Sequence, residues 1–387
     1  MIGMSAVIFI PDDTAKTGYP QPLMLQSVMG APLLAWLANA LFDSGVGRFF
    51  LVCHDRYVEA ARACLPTEAE VMTTMDSDPA DLLHVFLSTA EDAEHTITVV
   101  TGPAVYLPQL APQAAGRFPR VYGVSREELM QALDEHFSFA RFLLDNGSPM
   151  NEEQAMYSVA SPAELPEIAG LLQRNRLLAL ARTGVEIYDA SSCYVEPSVR
   201  VAPGARLLPG TMLRGKTVIG EEAVIGPWSV VDDSVIGARA VVNASQVRES
   251  RVGQDAVIGP YASVRGGCEL GRSVRAGSFV ELKNARLGEN TQVPHLAYLG
   301  DTEAGANCNF GCGVATANFD RVQKHETVVG EGAFIGCNTA LIAPLQVGSG
   351  AYIGAGSTIT EDVPAQALGI ARARQSNKKE WAAKHKK

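Results

Sequence analysis

From about residue 200 almost to its end, the chain repeats an aliphatic residue at every sixth position. Counting by six from Val329 passes through Ile335, Leu341, Val347, Ile353 and Ile359. Val252, Ile258, Val264 and Leu270 make a second register, and Ile219, Ile225 and Val231 a third. Gly often follows the aliphatic position, as at Gly220, Gly226, Gly253, Gly259, Gly330, Gly336, Gly348 and Gly354. A fixed six-residue period predicts a parallel β-helix: each hexad supplies a short strand and a turn, and three hexads close a coil of about 18 residues. The aliphatic side chain points inward and stacks on its equivalents, each contributing roughly 1.5–3 kcal/mol on full burial. Gly beside it lets the chain turn without a Cβ clash.

The first part of the chain has a different rhythm. Ala6 to Ile10, Arg48 to Val52 and Thr96 to Val100 are short apolar runs of buried-strand type, and Pro32 to Ser44 has helical spacing with Pro at its start. That alternation predicts a parallel, doubly wound α/β sheet. Residues 126–190 read as a helical connector, with candidate helices at Glu127 to Phe137, Ser138 to Asp145 and Pro166 to Thr183. The expected division is therefore an α/β domain over 1–125, a connector over 126–190, a β-helix over 191–375 and a basic tail over 376–387.

Composition narrows the function classes. With 47% hydrophobic and 19% charged residues among 387, the chain has the balance of an ordinary globular protein. A formal charge of −10 argues against nucleic acid as a general partner, which demands a basic face. No stretch approaches the roughly 18 unbroken apolar residues of a membrane span. The apolar start lacks a basic region and reads as a buried strand, not a signal peptide. Seven Cys without CxxC spacing suggest reduced thiols, no zinc site and a cytoplasmic location.

Between Phe310 and Val329 the six-residue beat fails for one excursion, CGVATANFDRVQKHETVV. A loop leaving a solenoid corner costs little closure entropy and projects side chains toward a neighbour. Upstream, Val293 and Leu299 hold the inward beat, so His295 and Tyr298 fall outside the core. Glu281 and Lys283 alternate onto one strand face, and Arg265 follows the inward Val264. A His, a carboxylate, several cations and a Tyr thus recur one or two coils apart.

GSFVELKNARLG, PHLAYLGD, NCNFGCG, ATANFD and GIARARQSNKKEW resemble the acetyltransferase domain of the bifunctional glucosamine-1-phosphate acetyltransferase/N-acetylglucosamine-1-phosphate uridyltransferase family, over about residues 200–387. The resemblance implies a left-handed β-helix that trimerises, with acetyl-CoA and glucosamine 1-phosphate bound where subunits meet. It implies His295 as general base for the glucosamine amine, a task suited to a neutral imidazole. Glu281 would orient or polarise it. Arg265, Lys283 and Lys324 would hold the sugar phosphate, and Tyr298 and Asn309 the sugar. On the donor side it implies Asn318 near the thioester, Ala355 and Arg372 near the pantetheine and phosphates, and Cys312, Phe319 and Cys337 in the same binding set. Phe319 stands where the family has Tyr and Cys337 where it has Ser, changes that weaken hydrogen bonds by about 0.5–1.5 kcal/mol each. As nucleophiles, Cys312 and Cys337 have no partner base at a recognisable spacing.

The same family carries an N-terminal nucleotidyltransferase domain, whose motifs do not survive here. Its glycine-rich phosphate loop falls on Phe9-Ile10-Pro11-Asp12-Asp13-Thr14-Ala15-Lys16, where two carboxylates and a Pro replace the glycines. Its lysine motif falls on Pro22-Leu23-Met24-Leu25, its metal-binding aspartate on Pro103 after Gly102, and a second metal ligand on Ala160. The expectation is an acetyl-CoA-dependent N-acetyltransferase for glucosamine 1-phosphate, fused to a nucleotidyltransferase-like domain that binds no Mg²⁺. Two rivals are a fully bifunctional enzyme and a non-catalytic scaffold that senses a nucleotide sugar.

Overall fold

The computed structural model describes residues 4–74, 79–90, 95–110, 120–134, 139–150 and 155–385. The ends of the helices expected at 127–137 and 138–145, and the last two lysines of the tail, lie outside these. The chain divides into two compact units: Met1–Arg200 with Leu213–Gly215, and Val201–Met212 with Lys216–Lys387.

The first unit is built on a six-stranded sheet in the order Glu70–Thr74, Arg48–Val52, Ser5–Phe9, Thr96–Val100, Val121–Ser125, Ser148–Met150. The first four are parallel, and the last two add antiparallel pairings at one edge. Alternate residues of the central strands enter different cores. Ala6, Ile8, Phe49 and Leu51 face one cluster, and Val7, Phe50, Val52 and Val99 the other. A sheet buried on both faces produces the continuous apolar runs seen in its sequence. Helix Leu33–Phe42 covers the first face, and helix Ala80–Ser88 the second.

Residues 126–190 are not a purely helical connector. Ser148–Met150 joins the sheet, and Met156–Ser158 pairs antiparallel with Ala104–Tyr106. Three-residue strands are too short for period-two alternation to register, so tertiary pairing decides them. The long helix Leu165–Arg182 agrees with expectation within a residue at each end.

The second unit is a left-handed parallel β-helix. Every inward position of the beat is buried, among them Ile225, Val242, Ile258, Val293, Phe310, Ile335 and Ile353. Its strands form three parallel faces. Gln292–His295, Asn309–Phe310 and Phe334–Ile335 lie on face one; Glu281–Lys283, Tyr298–Gly300 and Ala315–Ala317 on face two; Arg286–Leu287, Thr302–Ala304 and Thr327–Val329 on face three. The coil is less regular than the expected 18 residues: Val224 pairs with Val241, Val241 with Val257 and Val257 with Arg275, steps of 17, 16 and 18. Corners absorb the difference, because a residue in the left-handed region turns the chain wherever it falls. Across the excursion, Asn309 pairs with Phe334, a step of 25.

Candidate active site

Face two gathers the cations. Arg265 and Lys283 are register partners in adjacent coils, as are Glu281 and Tyr298. The Glu281 carboxylate accepts a hydrogen bond from the Arg265 guanidinium. Its partner is therefore Arg265 and not His295, which ends a face-one strand on the far side of the Leu296 corner.

Lys324 reaches the same place from the excursion. Phe319 and Lys324 form an antiparallel bridge across it. The Asp320 carboxylate accepts from the Val322 and Gln323 amides, each at 2.7 Å, and meets His325 Nε2 at 2.7 Å. The Gln323 amide first, then His325 and the Val322 amide, hold Asp320 down at about 2, well below its ordinary 3.8. So shaped, the excursion returns Lys324 to Lys283. The Lys324 ammonium is the main reason the Lys283 ammonium is depressed below 10.5, with Arg265 adding to the effect and Asp301 opposing it. Three cations share one small region, an arrangement that favours a multiply charged anion.

Asp301 ties this region together. Its carboxylate accepts from Asn284 Nδ2 at 2.7 Å and from Asn318 Nδ2, and its amide donates to the Lys283 carbonyl at 3.0 Å. The neighbouring Gly300 leaves space for the Tyr298 and Asn318 side chains. A Cβ there would stand 2.3 Å from the Tyr298 hydroxyl and 2.8 Å from Asn318 Nδ2. Asn284, Gly300 and Asp301 were missed as site residues, although Gly300 and Asp301 end the PHLAYLGD motif.

His295 begins a column along one corner. Gln292 pairs with Asn309, Asn309 with Phe334 and Phe334 with Tyr352. Three residues further along each strand, the same register sets His295, Cys312, Cys337 and Ala355 one above another. Sequence spacing hid this neighbour of Cys312, because the excursion and the uneven coils disturb any fixed count. Asn309 lies half-buried on the same face, His295 and Cys337 are exposed, and Cys312 is half-buried. The exposed Arg372 lies against Gly356, with its Cδ 3.6 Å from where a Cβ would be. Phe319 is exposed in the excursion. The expected residues therefore fall into a cationic cluster on face two and a column at the end of face one, with Leu296 at the corner between them.

In the first unit, the segment aligned with a phosphate loop is closed on itself. Asp13 Oδ1 accepts from the Leu23 amide at 2.9 Å, and Leu23 is buried. Asp12 accepts from the Thr14 hydroxyl at 2.7 Å and pairs with Arg56, and these contacts, the Thr14 bond foremost, lower its pKa. The Arg120 guanidinium stands over Gly102, and the Pro103 carbonyl is taken by the Val159 amide at 2.8 Å. Among the described residues no group of three or more His, Cys, Asp or Glu is arranged to hold a metal ion.

A family model described as bacterial transferase hexapeptide (six repeats) matches residues 326–361. Relatives named bifunctional protein GlmU are similar over longer stretches. That of Brevibacillus brevis is 44% identical over 221 residues, covering 57% of this chain and 48% of the relative. That of Caldicellulosiruptor saccharolyticus is 48% identical over 203 residues, 52% of this chain and 44% of the relative. The chain spans about half the length of the curated relatives it matches. A solved inositol-1-phosphate CTP transferase from T. maritima matches 46% of this chain at 12% identity, with a TM-score of 0.35.

Proposed function

We propose, from the similarity of the chain to the GlmU relatives over about half their length, that it is an acetyl-CoA-dependent N-acetyltransferase acting on glucosamine 1-phosphate, a step toward UDP-N-acetylglucosamine. One observation carries the choice of acceptor: Lys283 and Lys324 stand close enough beside Tyr298 and Asn318 for Lys324 to depress Lys283, with Arg265 next to them held by Glu281. Such a cluster suits a phosphate monoester attached to a hydrogen-bonding sugar. Glu281 then acts through Arg265, fixing the guanidinium in the direction of the phosphate.

His295, as neutral imidazole, takes the proton from the amine as its nitrogen attacks the thioester carbonyl. The C–S bond breaks, and the thiolate of coenzyme A leaves. Backbone amides near Asn318 stabilise the developing oxyanion. The donor lies along the column of Cys312, Cys337 and Ala355, with Arg372 toward its phosphates and Phe319 beside it, while Asn309 and Tyr298 hydrogen-bond the sugar.

The reading includes a trimer. Trp228, Tyr261, Phe279 and Leu296 follow one corner with 71%, 63%, 59% and 57% exposure, and Tyr261 stacks on Phe279 at 5.3 Å. All four have left-handed φ, 53°, 60°, 58° and 43°, which costs a bulky L-residue roughly 1–2 kcal/mol. Strained, exposed apolar side chains in a row suit cover by a second copy. The same reading makes the first unit silent in nucleotidyl transfer and the seven free thiols those of a cytoplasmic protein.

The test is to mix the chain with acetyl-CoA and glucosamine 1-phosphate and follow free thiol release. Acceptor-dependent release, lowered about 10²–10⁴-fold by His295→Ala with the circular dichroism unchanged, is the expected result. No acceptor-dependent release from the intact trimer would refute the reading.

A further inference from the structure

We propose that Cys312 and Cys337 form a modification site, a stacked dithiol that closes reversibly to a disulfide. The pairings Asn309 with Phe334 and Phe310 with Ile335 carry two residues on to Cys312 opposite Cys337. Hydrogen bonds on both sides hold that register: the Gly311 amide donates to the Ile335 carbonyl at 2.8 Å, and the Asn338 amide to the Cys312 carbonyl at 2.7 Å. Adjacent strands lie about 4.8 Å apart, inside the roughly 4.4–6.8 Å Cα separation a disulfide spans.

The Cys337 thiol is directed back toward the preceding coil. Its Sγ lies 2.9 Å from where a Cβ of Gly311 would be, and it occupies room that only a glycine leaves. Gly313 and Asn338, both in the left-handed region, turn the chain immediately after each cysteine, so the two thiols occupy equivalent places at successive corners. Cys312 and Cys337 are also the two cysteines that are not buried; Cys53, Cys64, Cys193, Cys268 and Cys308 lie inside.

The chemistry balances with a disulfide oxidant such as oxidised glutathione. One thiolate attacks it and expels a glutathione thiolate, and the second cysteine thiolate then displaces the other. Two protein thiols become one disulfide, and the oxidant becomes two thiols. In a reducing compartment such a bond is transient, which is the expected character of an exposed, regulatory disulfide. Closure links the coil that carries the excursion to the next one and replaces two donor-side thiols by an S–S bond in the His295 column. This last consequence rests on the proposed acetyl transfer; the cross-link does not.

The native chain is incubated in graded glutathione redox buffers, digested without reduction and analysed by mass spectrometry. A linked pair of peptides carrying Cys312 and Cys337, short of two hydrogens and restored by dithiothreitol, is expected while the five buried cysteines stay free. Cys337→Ser and Cys312→Ala each abolish the linked pair. Recovery of both residues as free thiols or separate glutathione adducts at the most oxidising ratio would overturn the proposal. In parallel, thiol release from acetyl-CoA is expected to fall about tenfold or more on closure and recover on reduction. A closed disulfide with undiminished transfer leaves the dithiol standing and overturns its placement beside the donor.

Discussion

Gly300 is the residue on which the most site geometry depends. It is legible in the sequence as part of a motif, yet its role emerges only when Tyr298 and Asn318, from different coils, are seen to share the space over it. Gly300→Ala is expected to leave the coil folded, because the clashing atoms are side-chain ends, and to lower kcat/KM for acetyl transfer by about 10²-fold through their displacement. Steady-state kinetics on the purified variant measure this. Lys324 crowds Lys283 in the free protein, and on the proposed reading its charge is there for the acceptor. Lys324→Gln is expected to raise the melting temperature while raising the acceptor KM about tenfold or more. The sign follows from Lys283. Its folded pKa lies below 10.5, so the folded state binds fewer protons in that alkaline window and stability rises with pH there. Melting curves across alkaline pH show this rise in the parent chain and a smaller one in the variant. His295, Lys283 and Lys324 were legible from motif resemblance, whereas the Glu281–Arg265 pairing was not, because which of two nearby groups a carboxylate meets depends on face and corner.

At the scale of elements, the beat located the β-helix and its failure located the excursion, but coil lengths of 16 to 18 residues needed the observed register. The excursion is held at its base by the bridge between Phe319 and Lys324, and within by Asp320. Asp320 has a folded value of about 2 against an ordinary 3.8, so its contribution is present above about 4 and lost as pH falls toward 2. Asp320→Ala is expected to speed amide exchange over residues 319–326 at neutral pH without altering exchange in the neighbouring coils. Hydrogen exchange followed by mass spectrometry checks both halves of that statement. By contrast, Ile335→Ala, at a fully buried inward position, is expected to cost about 2–5 kcal/mol by denaturant unfolding.

At the scale of the molecule, sedimentation is expected to show a species of three chains, and Phe279→Glu to shift it toward monomer by placing a charge in the apolar corner row. The first unit is expected to release no pyrophosphate from UTP with any divalent metal, since Asp13 already occupies the Leu23 amide and Arg120 stands over Gly102. The sequence alone determined the class of each half, because periodicity of two, 3.6 or six residues is a local consequence of how a strand, helix or coil buries one side. It also determined most residues of the candidate site, through motifs whose spacing survives intact. Tertiary structure decided which of those residues meet: that Lys324 returns to Lys283, that Asp301 joins Asn284 to Asn318, that Cys312 and Cys337 stack above His295, and that one three-residue strand completes the first sheet while two others pair with each other. Each of these is a contact between segments distant along the chain, fixed by register and corner position, and one residue more or less in a coil rearranges it without changing the pattern that a sequence displays.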